Sequence, residues 1–453
     1  MEFNPLPIIL AAVGSYFLIK LRFFFILHPI STTSRGVRAI KDKRAFRSFS
    51  LALAGTLGVG NVFGVAIGII IGGAGSLFWL FISMFFAMVI KYAEVVITSD
   101  NLYHDTDTHG GIYYVIRSSF SHCGKAFSAV YSFAVLGLSL VMGAALQTDA
   151  VCESAVATTT TTVPRLSIAL FFVLTTAYAI IGGARKIERI TAIIIPLTTI
   201  IYIFITSCIV IVNFDGLGSV VEKIFMSAFN FESALGGGVG FLMSAPLREG
   251  FARGILSNEA GAGTSSIAHA RSGVLSPATA GILGIFEVWF DTGLLCMLTG
   301  FSILLSVPDP GAFGSGMALV TYAVGNLFGT AGKYTVLLSV FAFAFATVVC
   351  WYYYGSEAWG TLFGKKKRAV FAPLFLSFVF LGCYTDSMTL IGVTDALMLV
   401  ATILSLSALI KNSDRIKSLS ENGGVVCSEC GRLKRFRVKS IKENVSWKDK
   451  RHR

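Results

Sequence analysis

Charge-poor apolar blocks and short polar joins alternate along nearly the whole chain. Eleven blocks stand at approximately 6–27, 48–71, 75–98, 125–147, 166–184, 190–212, 235–256, 277–306, 334–356, 369–385 and 389–411. A helical crossing of a bilayer takes roughly 20 apolar residues, so the pattern predicts an all-α integral membrane protein with about eleven transmembrane helices and excludes a single soluble core. The opening MEFNP lacks the basic stretch and small-residue cleavage site of a removable leader, so the first block is read as retained. Two amphipathic pieces, GGIYYVIRSSF at 110–120 and GSGMALVTYAVGNLF at 314–328, are expected along the membrane surface.

The second block contains AGTLGVGNVFGVAIGIIIGGAG, 54–75, without a charge. Glycine weakens a helix interior by about 1 kcal/mol relative to alanine. Gly64, Gly68 and Gly72 continue a small-xxx-small ladder from Gly60, the pattern that packs one membrane helix on another. Gly55, Gly58 and Gly60, followed by polar Asn61, keep no single helical face, and there the helix is expected to unwind. Unsatisfied backbone at that depth is costly, so a break implies an ion, water or a ligand.

With the first block set aside, ten remain, five from Ser48 and five from about Leu235. Each set opens on a glycine-interrupted block, the second being ALGGGVGFLMSAPLREG, 234–250, with its break expected over Gly236–Gly240. Five crossings are an odd number, so the second set lies inverted. Matching breaks in inverted halves mark the binding site of a secondary transporter. The expected architecture is one extra N-terminal helix with its basic loop (1–47), a 5+5 inverted-repeat core (48–212 and 213–411) with two broken helices, and a basic tail (412–453).

The net charge of +12 raises nucleic acid as a partner, but its placement answers otherwise. With the N-terminus outside, all but three of the 37 lysines and arginines (Arg165, Lys223 and Lys333) fall in the joins and tail of one side. That asymmetry makes the C-terminus cytoplasmic in a plasma (bacterial inner) membrane. The tail, 411–453, is expected against anionic lipid, and no nucleic acid is expected. Eight scattered cysteines imply packing residues rather than a disulfide framework. Cys427 and Cys430 have metal-ligand spacing, with only His452 nearby. The six histidines sit in joins, at block ends or in the tail, and no HExxH or GxSxG stands among them, against an intramembrane enzyme and any cofactor.

ALAGTLGVGNVFGVAIGIIIGGAGSLFWLF, KYAE, GGIYYVI, RGILSNEAGAGTSSIAHA, FDTGLLC and CWYYYG stand in this order over about 21–410. The sequence resembles the alanine or glycine:cation symporter family, the sodium:alanine symporters. The resemblance implies a fold similar to the neurotransmitter:sodium symporters and import of a small neutral amino acid with Na⁺. GVGN resembles the unwound first-helix motif of that group, which implies that the N–H groups of Val59 and Gly60 hold the substrate carboxylate and that Gly58 permits the turn. It places Na⁺ near the carbonyls of Ala54 and Leu57, the Thr347 hydroxyl and the Asn61 side chain. The second break, with Gly237 and Gly238, would supply carbonyls for the substrate ammonium. Gln147 matches a glutamine that reaches substrate; a helix–helix hydrogen bond is its alternative. Trp351 would wall the pocket against large side chains, unless it belongs to an interface belt. Ala346 and Val59 stand where the family usually has serine and threonine, which removes a cation ligand and a polar substrate contact.

Charged residues at depth are functional candidates. Glu287 and Asp291 lie four apart on one helix face, placed to relay protons, hold a cation or accept structural hydrogen bonds. Lys91, Glu94, Arg253, Asn258 and Glu259 are expected near cytoplasmic ends, as an inner gate network or as end caps. A proton-coupled or differently specific carrier of small amino acids with the same fold is the nearest alternative.

Overall fold

The computed structural model describes residues 5–104, 111–159, 164–229, 244–270, 275–364 and 368–426. Among these the regular structure is helical, without strands. Six helices are long and apolar enough to cross a membrane. They are α5 (Gly75–His104), α7 (Gly124–Thr158), α9 (Gly183–Val212), α13 (Pro277–Ser306), α14 (Gly316–Phe363) and α16 (Ser387–Lys411). A further pair, α3 (Lys43–Thr56) and α4 (Phe63–Gly72), passes the same test together, bent by 56° at its break. Shorter apolar helices are α1 (Leu6–Lys20), α8 (Arg165–Ile180) and α15 (Arg368–Gly382). The remaining elements are α2 (Pro29–Ile40), α6 (Ile112–Ser119), α10 (Leu217–Ala228), α11 (Ala245–Asn258), α12 (Ser266–His269) and α17 (Ser413–Asn422).

The helix starts follow local chemistry. Asp42 accepts the Arg44 and Ala45 amides ahead of α3, and Asp386 accepts the Thr389 amide ahead of α16. Pro277 opens α13, where a missing N–H costs nothing. Several hydroxyls inside the apolar helices bond backward to carbonyls, as Thr98 does to Glu94 at 2.7 Å and Thr206 to Tyr202 at 2.8 Å, which satisfies their donors.

The two amphipathic pieces are both helical. The first is α6, whose face of Ile112, Tyr113, Val115 and Ile116 is buried in protein. The second is the start of α14, joined to its remainder across a kink where Gly329 takes φ +59°. A disulfide also joins Cys152 on α7 to Cys383 after α15, two cysteines that the sequence pattern assigns to packing. The side chains are 231 positions apart, so sequence spacing carries no sign of the pairing. Because the bond restricts the unfolded chain, Cys152→Ser paired with Cys383→Ser is expected to cost ~2–4 kcal/mol. A lower thermal midpoint of the purified variant in detergent checks this; an unchanged one contradicts it.

The glycine ladder sets the arrangement at the centre. A methyl group on Gly60 would lie 3.5 Å from Ser257 Cα, on Gly64 3.8 Å from a Leu256 methyl, on Gly68 3.1 Å from Arg253 Cγ, and on Gly72 3.1 Å from the Ala245 carbonyl. As the numbers rise along α4 they fall along α11, so the two helices lie antiparallel in close contact. Beyond the break, the Ser48 hydroxyl on α3 donates to the Ala268 carbonyl of α12 at 2.6 Å. The pair α11 and α12 therefore runs alongside the pair α3 and α4.

Candidate functional site

The first interruption falls where the sequence places it. Leu57 leaves the helical region (ψ +61°), Gly58 is extended (φ −104°, ψ −159°), and Val59–Asn61 form one tight 3₁₀ turn before α4 begins. Ala54, Leu57, Val59 and Asn61 are all buried. A methyl group on Gly58 would sit 2.8 Å from Thr347 Oγ1 and 2.9 Å from Gln147 Oε1, so only glycine lets these polar atoms close on the chain. The Val59 N–H donates to Gln147 Oε1 at 3.1 Å, while Gln147 Nε2 donates to the Met142 carbonyl at 3.1 Å. Gln147 thus makes the helix–helix bond, and makes it to the break itself. Thr347 Oγ1 is buried without a hydrogen-bond partner.

Trp351 is fully buried, donating from Nε1 to the Gly55 carbonyl at 3.3 Å, which excludes the interface-belt reading. The space for it comes from Gly143, in a widened π turn of α7 at Val141–Ala145. A second π turn, Trp289–Cys296 in α13, carries Asp291. Such turns widen a helix and recur at functional sites. Asp291 accepts from Asn61 Nδ2 at 2.5 Å, from Ser257 at 2.7 Å and from Thr292 at 2.8 Å, while Asn61 Oδ1 has no partner. Asn258 Nδ2 donates to Thr292 at 3.0 Å. Three helical elements thus meet at one buried polar knot.

The end of α11 adds an interruption that the sequence reading did not place. A second interruption lies at Glu259–Ser265, where Glu259 takes φ +54°, Gly261 φ +93° and Gly263 φ +76°. The segment that carries Gly236–Gly240, with Gly237 and Gly238, lies outside the described residues. The signal was present in NEAGAGTSS, where two glycines flank small and polar residues, but three successive glycines upstream looked weaker. The backbone of this turn is answered from several sides. Ala260 N–H donates to Asn258 Oδ1 at 3.0 Å, Tyr131 donates to the Ala262 carbonyl at 2.6 Å, and Ser266 to that of Gly263 at 2.5 Å.

The expected inner gate set divides in three. Arg253 does not sit at the end near Lys43: it lies beside Gly68, toward the opposite end, pairing with Glu249 at 3.3 Å and Asp395 at 3.7 Å. Asn258 and Asp291 belong to the central knot. Lys91, Glu94, Glu259 and Glu287, each fully buried, form a third group with His269. Lys91 Nζ lies 3.4 Å from Glu287 and 2.8 Å from Ser265, and Glu287 lies 2.8 Å from His269 Nε2. Glu287 and Asp291 therefore share a helix face but not a network.

Comparison with known proteins places this architecture. The model of the "Sodium:alanine symporter family" matches residues 2–421. The chain is 30% identical over 417 residues to the sodium/alanine symporter AgcS of Methanococcus maripaludis, covering 88% of this chain and 86% of that one. It is 28% identical over 354 residues to the amino-acid carrier protein AlsT of Bacillus subtilis (77% and 73% covered). It is 27% identical over 417 residues to the probable sodium/glutamine symporter GlnT of the same organism (89% and 84%). The family match, together with several helices apolar enough to span a membrane, places the chain among multi-pass membrane transporters rather than enzymes. The chain belongs to the sodium:alanine symporter family.

Proposed function

We propose that the protein imports a small neutral amino acid, of the alanine or glycine type, together with Na⁺ by alternating access. The observation that carries this reading is the buried break at Leu57–Val62, where main-chain groups, Gln147 and an unpartnered Thr347 hydroxyl converge. The Val59 and Gly60 N–H groups take the substrate carboxylate, with Gln147 yielding the Val59 N–H to it. Na⁺ sits by Thr347 and the carbonyls of Ala54 and Leu57, with Asn61 Oδ1 as a further oxygen. We assign the carbonyls for the substrate ammonium to the interruption after Asn258 rather than to Gly237 and Gly238. Trp351 limits the side chain to small groups. Coupling follows because each bound partner neutralises polar groups the other leaves exposed, favouring one conformation.

The architecture goes with this reading: eleven crossings, one N-terminal helix before two inverted five-helix units at 48–212 and 213–411, the N-terminus outside and the basic tail at 412–453 in the cytoplasm. Two broken helices lying antiparallel, α3–α4 beside α11–α12, support it. A second reading replaces Na⁺ by H⁺, favoured by Ala346 and Val59, which bring no hydroxyl to the break.

Uptake into proteoliposomes with an inward Na⁺ gradient, with choline in its place, and with a panel of competing amino acids tests both. Concentrative alanine or glycine uptake that needs Na⁺ supports the first; uptake indifferent to Na⁺ but driven by a proton gradient supports the second. Ala346 is fully buried next to Thr347, so Ala346→Ser is expected to lower the Na⁺ concentration for half-maximal uptake by roughly tenfold, the worth of about 1.4 kcal/mol of added coordination. Unchanged Na⁺ dependence rejects a cation site beside Thr347.

A further inference from the structure

The buried group around Lys91 is unbalanced in charge. It holds three carboxylates, Glu94, Glu259 and Glu287, against Lys91 and His269, with none more than 2% exposed. Even with both nitrogen bases charged, the sum is negative. An uncompensated charge in such surroundings costs several kcal/mol. Among the described residues no three carboxylate or imidazole groups are arranged to hold a metal ion. A proton on one of the carboxylates neutralises the excess with the groups in place.

Geometry distributes the roles. Glu287 is matched by Lys91 at 3.4 Å and His269 at 2.8 Å, and stays ionised. Glu259 accepts from Thr264 at 2.5 Å through one oxygen, while the other has no partner. Neither Glu94 oxygen has a hydrogen-bond partner of good geometry, and the carboxyl faces the Gly261 and Gly263 amides of the turn. Around this pair stand Lys91 on the same helix, His269 on α12, Glu287 and Asp291 on α13, Tyr131 on α7 and Tyr354 on α14. Lys91 lies within electrostatic reach of all three glutamates.

We propose that Glu94 and Glu259 form a proton-binding site, separate from the break at Leu57–Val62, whose occupancy follows the position of the Glu259–Ser265 turn. With the turn as it stands, the proton resides on this pair. A shift of the turn that aligns the Gly261 and Gly263 amides more closely on Glu94 favours the carboxylate and releases the proton to water; a shift away favours its uptake. The linkage to a transport cycle rests on the function proposed above; the presence of the proton does not.

Infrared spectroscopy of the purified protein, titrated across neutral pH, separates the two. A protonated-carboxyl band persisting at neutral pH, and missing in Glu94→Gln or Glu259→Gln, is expected; a spectrum in which every carboxyl is ionised there overturns the site. Both variants are read because one of them can fail to fold. In proteoliposomes, wild-type uptake is expected to change roughly tenfold per pH unit on the limb where the pair titrates, and to flatten in Glu94→Gln. A folded, transporting variant with the wild-type pH profile overturns the linkage. Absence of amino-acid uptake in the wild type rejects the proposed function and leaves the infrared result standing on its own.

Discussion

Gly58→Ala is expected to lower amino-acid uptake by at least about tenfold, while Gly64→Ala stays within about twofold of the wild type. Both glycines lie in the same apolar block and differ by six residues, so helix propensity does not separate them. The Gly58 backbone is extended at φ −104°, which any residue adopts, so the expected loss is steric. The new methyl group would meet Thr347 Oγ1 at 2.8 Å and Gln147 Oε1 at 2.9 Å, pushing apart the groups assigned to ion and substrate. At Gly64 the nearest atom is a Leu256 methyl at 3.8 Å, an ordinary contact. Overpacking of a dense site costs about 1–3 kcal/mol, enough for the tenfold loss. Radiolabelled uptake with matched protein in the membrane decides it; equal activities would remove the break from the transport path.

Lys91→Met is expected to cost ~3–5 kcal/mol of stability, because it strands Glu287 as a buried charge next to a histidine. Adding Glu287→Gln is expected to return much of that loss, since the amide keeps a hydrogen bond to His269 without the charge. Thermal midpoints of the single and double variants in the same detergent measure the coupling. Additive losses would mean that Lys91 acts through packing: its stem lies against Gly284, where a methyl group would meet Cγ at 3.0 Å.

The apolar blocks revealed the helices because lipid leaves the backbone no other partner than itself. Gly58–Asn61 was legible for the same reason: glycines that keep no common face next to an asparagine have no packing account. The ladder from Gly60 to Gly72 was legible as packing, though not its partner, because the facing residues, Ala245 to Ser257, are remote in sequence. The interruption after α11 is the weaker signal in the sequence, since triple glycine weighs more by propensity than Glu-Ala-Gly-Ala-Gly. What keeps that later turn open is tertiary: Tyr131, Asn258 and Ser266 answer its backbone groups. The cysteine pairing and the split of Glu287 from Asp291 depended on contacts over 18 to 231 positions, which no local pattern carries.

The glycine ladder constrains how the centre moves. Because α4 presents its glycines to α11 along their shared length, the two helices lie close and neither can tilt alone without opening a void. On the transport function proposed above, α4 with α11 and α3 with α12 are expected to act as two leaves hinged at the interruptions that carry Gly58 and Gly261, so that closing one draws the other open as a seesaw tips.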